Sequence, residues 1–275
     1  MDNTAQIDYW NGAAGQKWVK EADGLDAMLL PFAHAVLDAA QPGPGERVID
    51  IGCGAGALTL LVAENGAEPI GVDVSSPLID LARRRAAATG SNATFQVGDA
   101  SAWTPPEKLD LAISRFGVMF FADPVQAFSG MRAGMKPGGR LAFACWRPLL
   151  ENEWALAPMV AAMALLKAPP APPPPGSPGP FSFGDADHVK RVLTESGWSN
   201  ARLAAWDGKI EMPGLNEDET AEFMLDIGPL SRAIAEQELD RSAVKSAIAK
   251  RVRELSDEKG RTRLKAAVWI VEASA

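Results

Sequence analysis

The chain has little of what several function classes require. Its 275 residues include two cysteines, Cys53 and Cys145, and two histidines, His34 and His188. One thiol lies in a glycine-rich turn and the other in an apolar run, a poor disulfide pair that argues against a disulfide-scaffolded secreted fold. No Cys/His cluster shows metal-ligand spacing, so no metal is expected. Basic charge is also short: 27 Lys and Arg against 35 Asp and Glu give a formal net charge of −8. Binding a phosphate backbone takes a basic face, so nucleic acid is not an expected partner. The most basic stretch, Arg241 to Lys265, has acids interleaved and reads as a solvated helix face. No apolar run reaches bilayer-spanning length, and no basic-then-apolar leader opens the sequence. The expectation is a reduced, cytoplasmic setting with no membrane partner.

What is present is patterned apolar sequence, enough for one large α/β domain with additions. Its most informative stretch is Val48-Ile49-Asp50-Ile51-Gly52-Cys53-Gly54-Ala55-Gly56, followed by helical spacing in Leu58, Leu61 and Val62. That reads as a buried parallel strand, a tight turn and a helix start. Glycines there let a ligand lie against backbone, and the helix N-terminus offers N–H groups to a negative group. The dinucleotide fingerprint is G-x-G-x-x-G, whereas Gly52, Gly54 and Gly56 give G-x-G-x-G.

Three more strand ends follow. Ile70-Gly71-Val72-Asp73-Val74-Ser75-Ser76-Pro77 places an acid about twenty residues beyond the first turn, where it can accept from both ribose hydroxyls. Ser76 reads as a helix cap with Pro77 at the first helical position. Phe95-Gln96-Val97-Gly98-Asp99-Ala100 ends another apolar run, with Gly98-Asp99 equally readable as a plain turn. Leu109 to Ser114 is a fourth strand, tipped by Arg115, Phe116 and further aromatics and followed by the helix start Asp123-Pro124. Lys136-Pro137-Gly138-Gly139 then turns into a fifth strand, Leu141 to Trp146.

The run from Asp50 to Gly56 resembles motif I of the class I S-adenosylmethionine-dependent methyltransferases, and the other stretches match that family in order over residues 45–146. The resemblance implies a Rossmann-like, seven-stranded, mostly parallel α/β sheet with its last strand antiparallel, helices on both faces and a helical lid or insertion. It implies S-adenosyl-L-methionine as cofactor. Contacts would come from Asp50, Gly52, Cys53, Gly54, Gly56 and Leu58 at the first turn. Asp73, Val74 and Ser75 would serve the ribose, Asp99 and the Ala100 N–H the adenine. Ser114, Arg115 and Phe116 would flank the methionine end.

Around this block, residues 1–40 read as an N-terminal helical lid ahead of a domain spanning 41–275. Tyr9, Trp10 and Trp18 lie in a Gly-broken leader that either covers the cofactor or packs on the surface. Asp26 reads as the cap of a helix whose Leu29, Phe32, Val36 and Leu37 share a face. Lid or insertion segments are expected at about 147–180 and 209–262, with aromatics suited to a hydrophobic acceptor. Pro169 to Pro180 holds eight prolines in twelve residues and reads as a polyproline-like surface loop. Ala201 to Trp206 is expected as strand six and Ala266 to Ala273 as the closing strand, inserted between the fifth and sixth.

A sulfonium methyl is electrophilic by itself, so no covalent nucleophile is needed and no catalytic base is assigned. Arg115 is a candidate for contacting a polar or acidic substrate, with an ion pair to a nearby acid as its other reading. His34, on an apolar helix, is a second candidate; structural placement is its other reading, as for His188. The expected activity is methyl transfer to a small, partly hydrophobic molecule by a monomer or homodimer. A nicotinamide-dependent oxidoreductase and a non-catalytic cofactor-binding subunit are the alternatives.

Overall fold

The computed structural model describes residues 3–168, 174 and 176–275. Much of the proline-rich loop expected at 169–180 lies outside the described residues. Ahead of the sheet come α1 (Thr4–Asn11), α2 (Ala13–Lys20) and α3 (Ala22–Ala40). The chain then alternates β1 (Arg47–Ile51), α4 (Ala57–Glu64), β2 (Glu68–Asp73), α5 (Ser76–Thr89) and β3 (Thr94–Val97). It continues through β4 (Leu109–Arg115), α6 (Pro124–Gly134), β5 (Met135–Trp146), α7 (Glu153–Ala162), α8 (Ala186–Glu195) and β6 (Ser199–Glu211). Last come α9 (Glu217–Asp226), α10 (Pro229–Glu236), α11 (Arg241–Leu255) and β7 (Arg263–Ser274).

The seven strands form one sheet in the order β3-β2-β1-β4-β5-β7-β6. Pairs among β1 to β5 are parallel, while β7 runs antiparallel to both β5 and β6. Strand order reverses between β1 and β4, and right-handed crossovers then send the connecting helices to opposite faces. The carboxyl ends of β1 and β4 meet at this reversal, where open α/β sheets hold ligands. β1 and β4 read as near-continuous apolar runs because both faces are covered: Val48, Ile49 and Ile51, like Leu111, Ala112 and Ile113, are fully buried.

Several boundaries differ from the sequence reading. α3 begins four residues before Asp26, at a cap formed by Glu21, so Asp26 sits inside the helix and is free to pair with distant arginines. Ser75, not Ser76, occupies the cap position of α5, and its hydroxyl bonds the Trp10 carbonyl instead of a helix N–H. β6 and β7 are longer than expected because each pairs with the other along its whole length. The segment between them folds as three helices capped at Asn216 and Asp240, whose carbonyl or carboxylate oxygens accept the free N–H groups of the first turn.

Candidate active site

Asp50, at the end of β1, is buried, and its Oδ2 accepts a 2.6 Å hydrogen bond from the Thr59 hydroxyl of α4. Burial pushes its pKa up to about 7 despite that bond and the Arg115 charge nearby. The three glycines that follow divide the work. All adopt left-handed backbone, with φ of +64°, +55° and +85° at Gly52, Gly54 and Gly56. A Cβ at Gly52 would lie 2.7 Å from the Gly117 backbone, and one at Gly56 would lie 2.8 Å from the Phe95 ring. A Cβ at Gly54 would meet nothing within 4 Å, which leaves that backbone open to a ligand.

Asp73 ends β2 beside this turn. Its Oδ2 accepts from the Gly54 N–H at 2.8 Å and its Oδ1 from the Ser75 N–H at 2.8 Å. Desolvation raises its pKa, opposed by those two donors. The same turn carries the leader. Asn11 at the end of α1 donates to the Val74 carbonyl at 2.8 Å and accepts from the Ser76 N–H at 3.0 Å. The Ser75 hydroxyl donates to the Trp10 carbonyl at 2.9 Å. A methyl at Gly15 of α2 would collide with that carbonyl, so α2 closes down on α1 without room for a side chain. The Trp10 indole meets Trp18 and Phe120 edge-on at 5.3 and 5.5 Å.

After β3, the Asp99 Oδ1 accepts from the Ser101 N–H at 2.9 Å, so the turn reading of Gly98-Asp99 holds while the residue faces the cleft. At the tip of β4, the buried Ser114 hydroxyl donates to the Ile51 carbonyl at 2.7 Å and accepts from the Gly117 N–H at 3.0 Å. Ser114 therefore clamps β4 onto β1. Phe116 has φ of +69° and stacks on Trp146 at 4.2 Å. Arg115 Nη2 donates to Asp26 Oδ1 at 2.9 Å, the ion pair foreseen as its other reading, yet the residue also lines the cleft.

These elements enclose a cleft of about 110 Å³ whose lining residues all fall between Asn3 and Phe121. Of the residues singled out from sequence, the cleft brings together Trp10, Trp18, Gly52, Gly54, Asp73, Val74, Asp99, Ala100, Arg115 and Phe116. It does not include the others. Tyr9 is exposed, and Asp50, Cys53, Leu58, Ser75 and Ser114 are buried behind the wall. Gly56 packs on Phe95. His34 is exposed on α3 and His188 lies against Phe183, so neither histidine reaches the cleft.

Sequence reasoning missed Asn3, Gln6 and Leu78, and did not single out Phe120 and Phe121 within the fourth stretch. The aromatics had a signal in their position after the strand tip; the polar residues of α1 had none. The described residues of the segments at 147–180 and 209–262 do not line this cleft. Their aromatics Trp154 and Phe223 are buried in the main core, because α11 packs on α7 and α9 and α7 packs on β7. Among the described residues no group of acids, histidines and cysteines is placed to hold a metal.

Residues 48–139 match the family model of a methyltransferase domain. The fold around that domain is the one of the class I S-adenosylmethionine-dependent methyltransferases. The chain is 35% identical over 118 residues to an aklanonic acid methyltransferase of Streptomyces sp. strain C5, covering 41% of this chain and 54% of that protein. It is 27% identical over 207 residues to a nocamycin O-methyltransferase of Saccharothrix syringae, covering 71% and 74%. A solved phosphoethanolamine N-methyltransferase 2 of Haemonchus contortus, in complex with S-adenosyl-L-methionine, shares the fold. Its TM-score is 0.58 at 15% identity, over 98% of this chain and 60% of that one. The alignments span about half the length of the first curated relatives that the chain matches.

Proposed function

We propose that the chain is an S-adenosylmethionine-dependent methyltransferase that moves a methyl group to a small, partly hydrophobic molecule by direct in-line displacement. The observation that carries this reading is the Asp73 carboxylate at the end of β2, beside a glycine turn whose middle member is open to the cleft. Each Asp73 oxygen accepts one backbone N–H and keeps lone-pair capacity for a ribose hydroxyl. The residues present thus fit the cofactor. Bound there, it supplies a methyl group on a sulfonium, electrophilic without covalent help.

Everything else falls to the chain's own residues. Asp73 would hold the ribose, Gly54 would let the backbone lie close, and Asp99 with Ala100 would take the adenine edge. Trp10, Trp18, Phe116 and Phe120 would exclude water and offer apolar surface to the acceptor. Fixing an acceptor atom in line supplies ~7–11 kcal/mol through orientation. Among the described residues no histidine, cysteine or lysine lines the cleft. A general base is optional and depends on the pKa of the acceptor. The leader, residues 1–40, would be the lid of a domain at 41–275, with 147–180 and 209–262 as accessory segments. The similarity to methyltransferases of aklanonic acid and nocamycin supports a small-molecule acceptor. A net charge of −8 speaks against nucleic acid, and no described helix is long and apolar enough to cross a membrane. Our reading is a cytoplasmic monomer or homodimer.

Isothermal titration tests the cofactor. S-adenosylmethionine or its demethylated product should bind, and NAD and NADP should not; tight dinucleotide binding with no response to the sulfonium compound would overturn the assignment. Incubating metabolite extracts with methyl-labelled cofactor, read by mass spectrometry, identifies the acceptor.

A further inference from the structure

A second cavity, of about 210 Å³, lies between the turn after β3 and the start of α6. One water needs only ~10–15 Å³ of such space, so there is room for a chain of several atoms. Asn3 and Asp99 line both this cavity and the cleft, and so form the partition between them.

The room comes from small side chains on either side, Ala102 after β3 and Ala122 ahead of α6. The two turns that carry them are tied by their own backbone. Asp99 Oδ1 accepts from the Ser101 N–H at 2.9 Å, and Asp123 Oδ1 accepts from the Gln126 N–H at 2.9 Å as the cap of α6. The other oxygen of each carboxylate has no hydrogen-bond partner among the described residues. No lysine or arginine is among the described lining residues, so the two acids give the cavity negative charge.

Asp99 and Ala100 are the residues put forward above for the adenine edge. An adenine amino group has two N–H bonds. A carboxylate oxygen of Asp99 accepts one of them, and the other can be replaced by carbon without loss of that bond. Past Asp99 is not a wall but the second cavity.

We propose that this cavity continues the cofactor site past the adenine edge. The protein accepts a cofactor-type nucleoside that carries a short neutral or cationic chain on the 6-amino group, and rejects one whose chain ends in a carboxylate. Size selection comes from Ala102 and Ala122, charge selection from Asp99 and Asp123. The inference rests on the cofactor reading above and adds to it the tolerance of the adenine end.

Isothermal titration on the full chain tests this with S-adenosylhomocysteine, its N⁶-propyl derivative and its N⁶-(2-carboxyethyl) derivative. Wild-type protein should bind the propyl compound within about threefold of the parent, and the carboxyethyl compound at least about tenfold more weakly than the propyl one. Ala122→Leu fills the cavity from the α6 side and Ala102→Leu from its exposed rim, so one serves should the other not fold. Either should weaken the propyl compound about tenfold or more and leave the parent within about twofold. Asp123→Asn keeps a capping side chain on α6 and removes a charge, so it should narrow the gap between the carboxyethyl and propyl compounds. Wild-type protein that binds the parent but loses the propyl compound overturns the proposal, as do filled variants that bind the propyl compound like wild type. A carboxyethyl compound bound as well as the propyl one overturns the charge selection. Wild-type protein that does not bind even the parent overturns the cofactor reading, and this extension with it.

Discussion

Asp50 and Asp73 end adjacent strands, and their surroundings give them different tasks. Asp50 is closed in behind the glycine turn with one hydroxyl donor; Asp73 faces the cleft with two backbone donors. Asp50 makes stability pH-dependent in a direction unusual for a carboxylate. Its folded pKa, about 7, lies above the 3.8 of an exposed aspartate. Below about pH 4 it is protonated in both states and contributes nothing. As pH rises towards 7 the unfolded chain ionises first, so folding is disfavoured progressively, by about 4 kcal/mol once pH exceeds 7. Asp50→Asn should therefore flatten the fall in stability between pH 5 and 8, measured by urea unfolding at both pH values; an unchanged slope would show that Asp50 ionises freely. Asp73→Ala should weaken S-adenosylhomocysteine at least tenfold, as it removes two charge-assisted bonds of about 1.5–3 kcal/mol each. Circular dichroism should remain that of wild type. Both acids were legible as acids at strand ends. Their division of labour was not, because it depends on Thr59 reaching back from α4 and on which side chain the turn encloses.

At the scale of elements, the cleft depends on two junctions. The first joins β4 to β1 through Ser114. Ser114→Ala leaves the Gly117 N–H without its acceptor, and should cost about 1–3 kcal/mol of stability by thermal or urea unfolding. The second docks the leader on the turn after Asp73. Gly15→Ala puts a methyl against the Trp10 carbonyl and should free that leader, so amide exchange over residues 5–20 should quicken. In wild type, adding S-adenosylhomocysteine should slow exchange over the same residues; slow exchange unaffected by ligand would mark the leader as core packing only. The leader's aromatics were visible in the sequence, but its latch was not. Asn11 and Ser75 are ordinary polar residues until folding sets Asn11 beside the Val74 carbonyl and the Ser76 N–H, and Ser75 beside the Trp10 carbonyl. Asp26 was misread for a related reason: a capping residue and a mid-helix ion-pair partner have the same side chain, and only the arginines of α5 and β4 distinguish them.

For the whole molecule, binding and bulk stability are carried by different parts of the chain. The cleft is lined from residues 3–121, whereas the helices between β6 and β7 extend the core with Phe223, Leu230, Val244 and Ile248. Phe223→Ala should cost about 3–5 kcal/mol in urea unfolding. Its affinity for S-adenosylhomocysteine under native conditions should stay at the wild-type value; a parallel loss would show that the insertion shapes the cleft. The antiparallel last strand and its place between the fifth and sixth followed from the family resemblance. The packing of the insertion could not be read, because its apolar spacing suits a lid and a core equally well.

The placement of β7 constrains how the molecule is assembled during synthesis. Among the described residues β6 has no hydrogen-bonded neighbour in the sheet except β7, which follows it by some fifty residues and separates it from β5. While a ribosome extends the chain through the three intervening helices, β5 presents an open apolar edge and β6 has nowhere to dock. The half that lines the cleft, whose contacts are local, can form first. The other half waits for one strand, and until that strand arrives the exposed edge of β5 is the place where a nascent chain is open to pairing with the wrong partner.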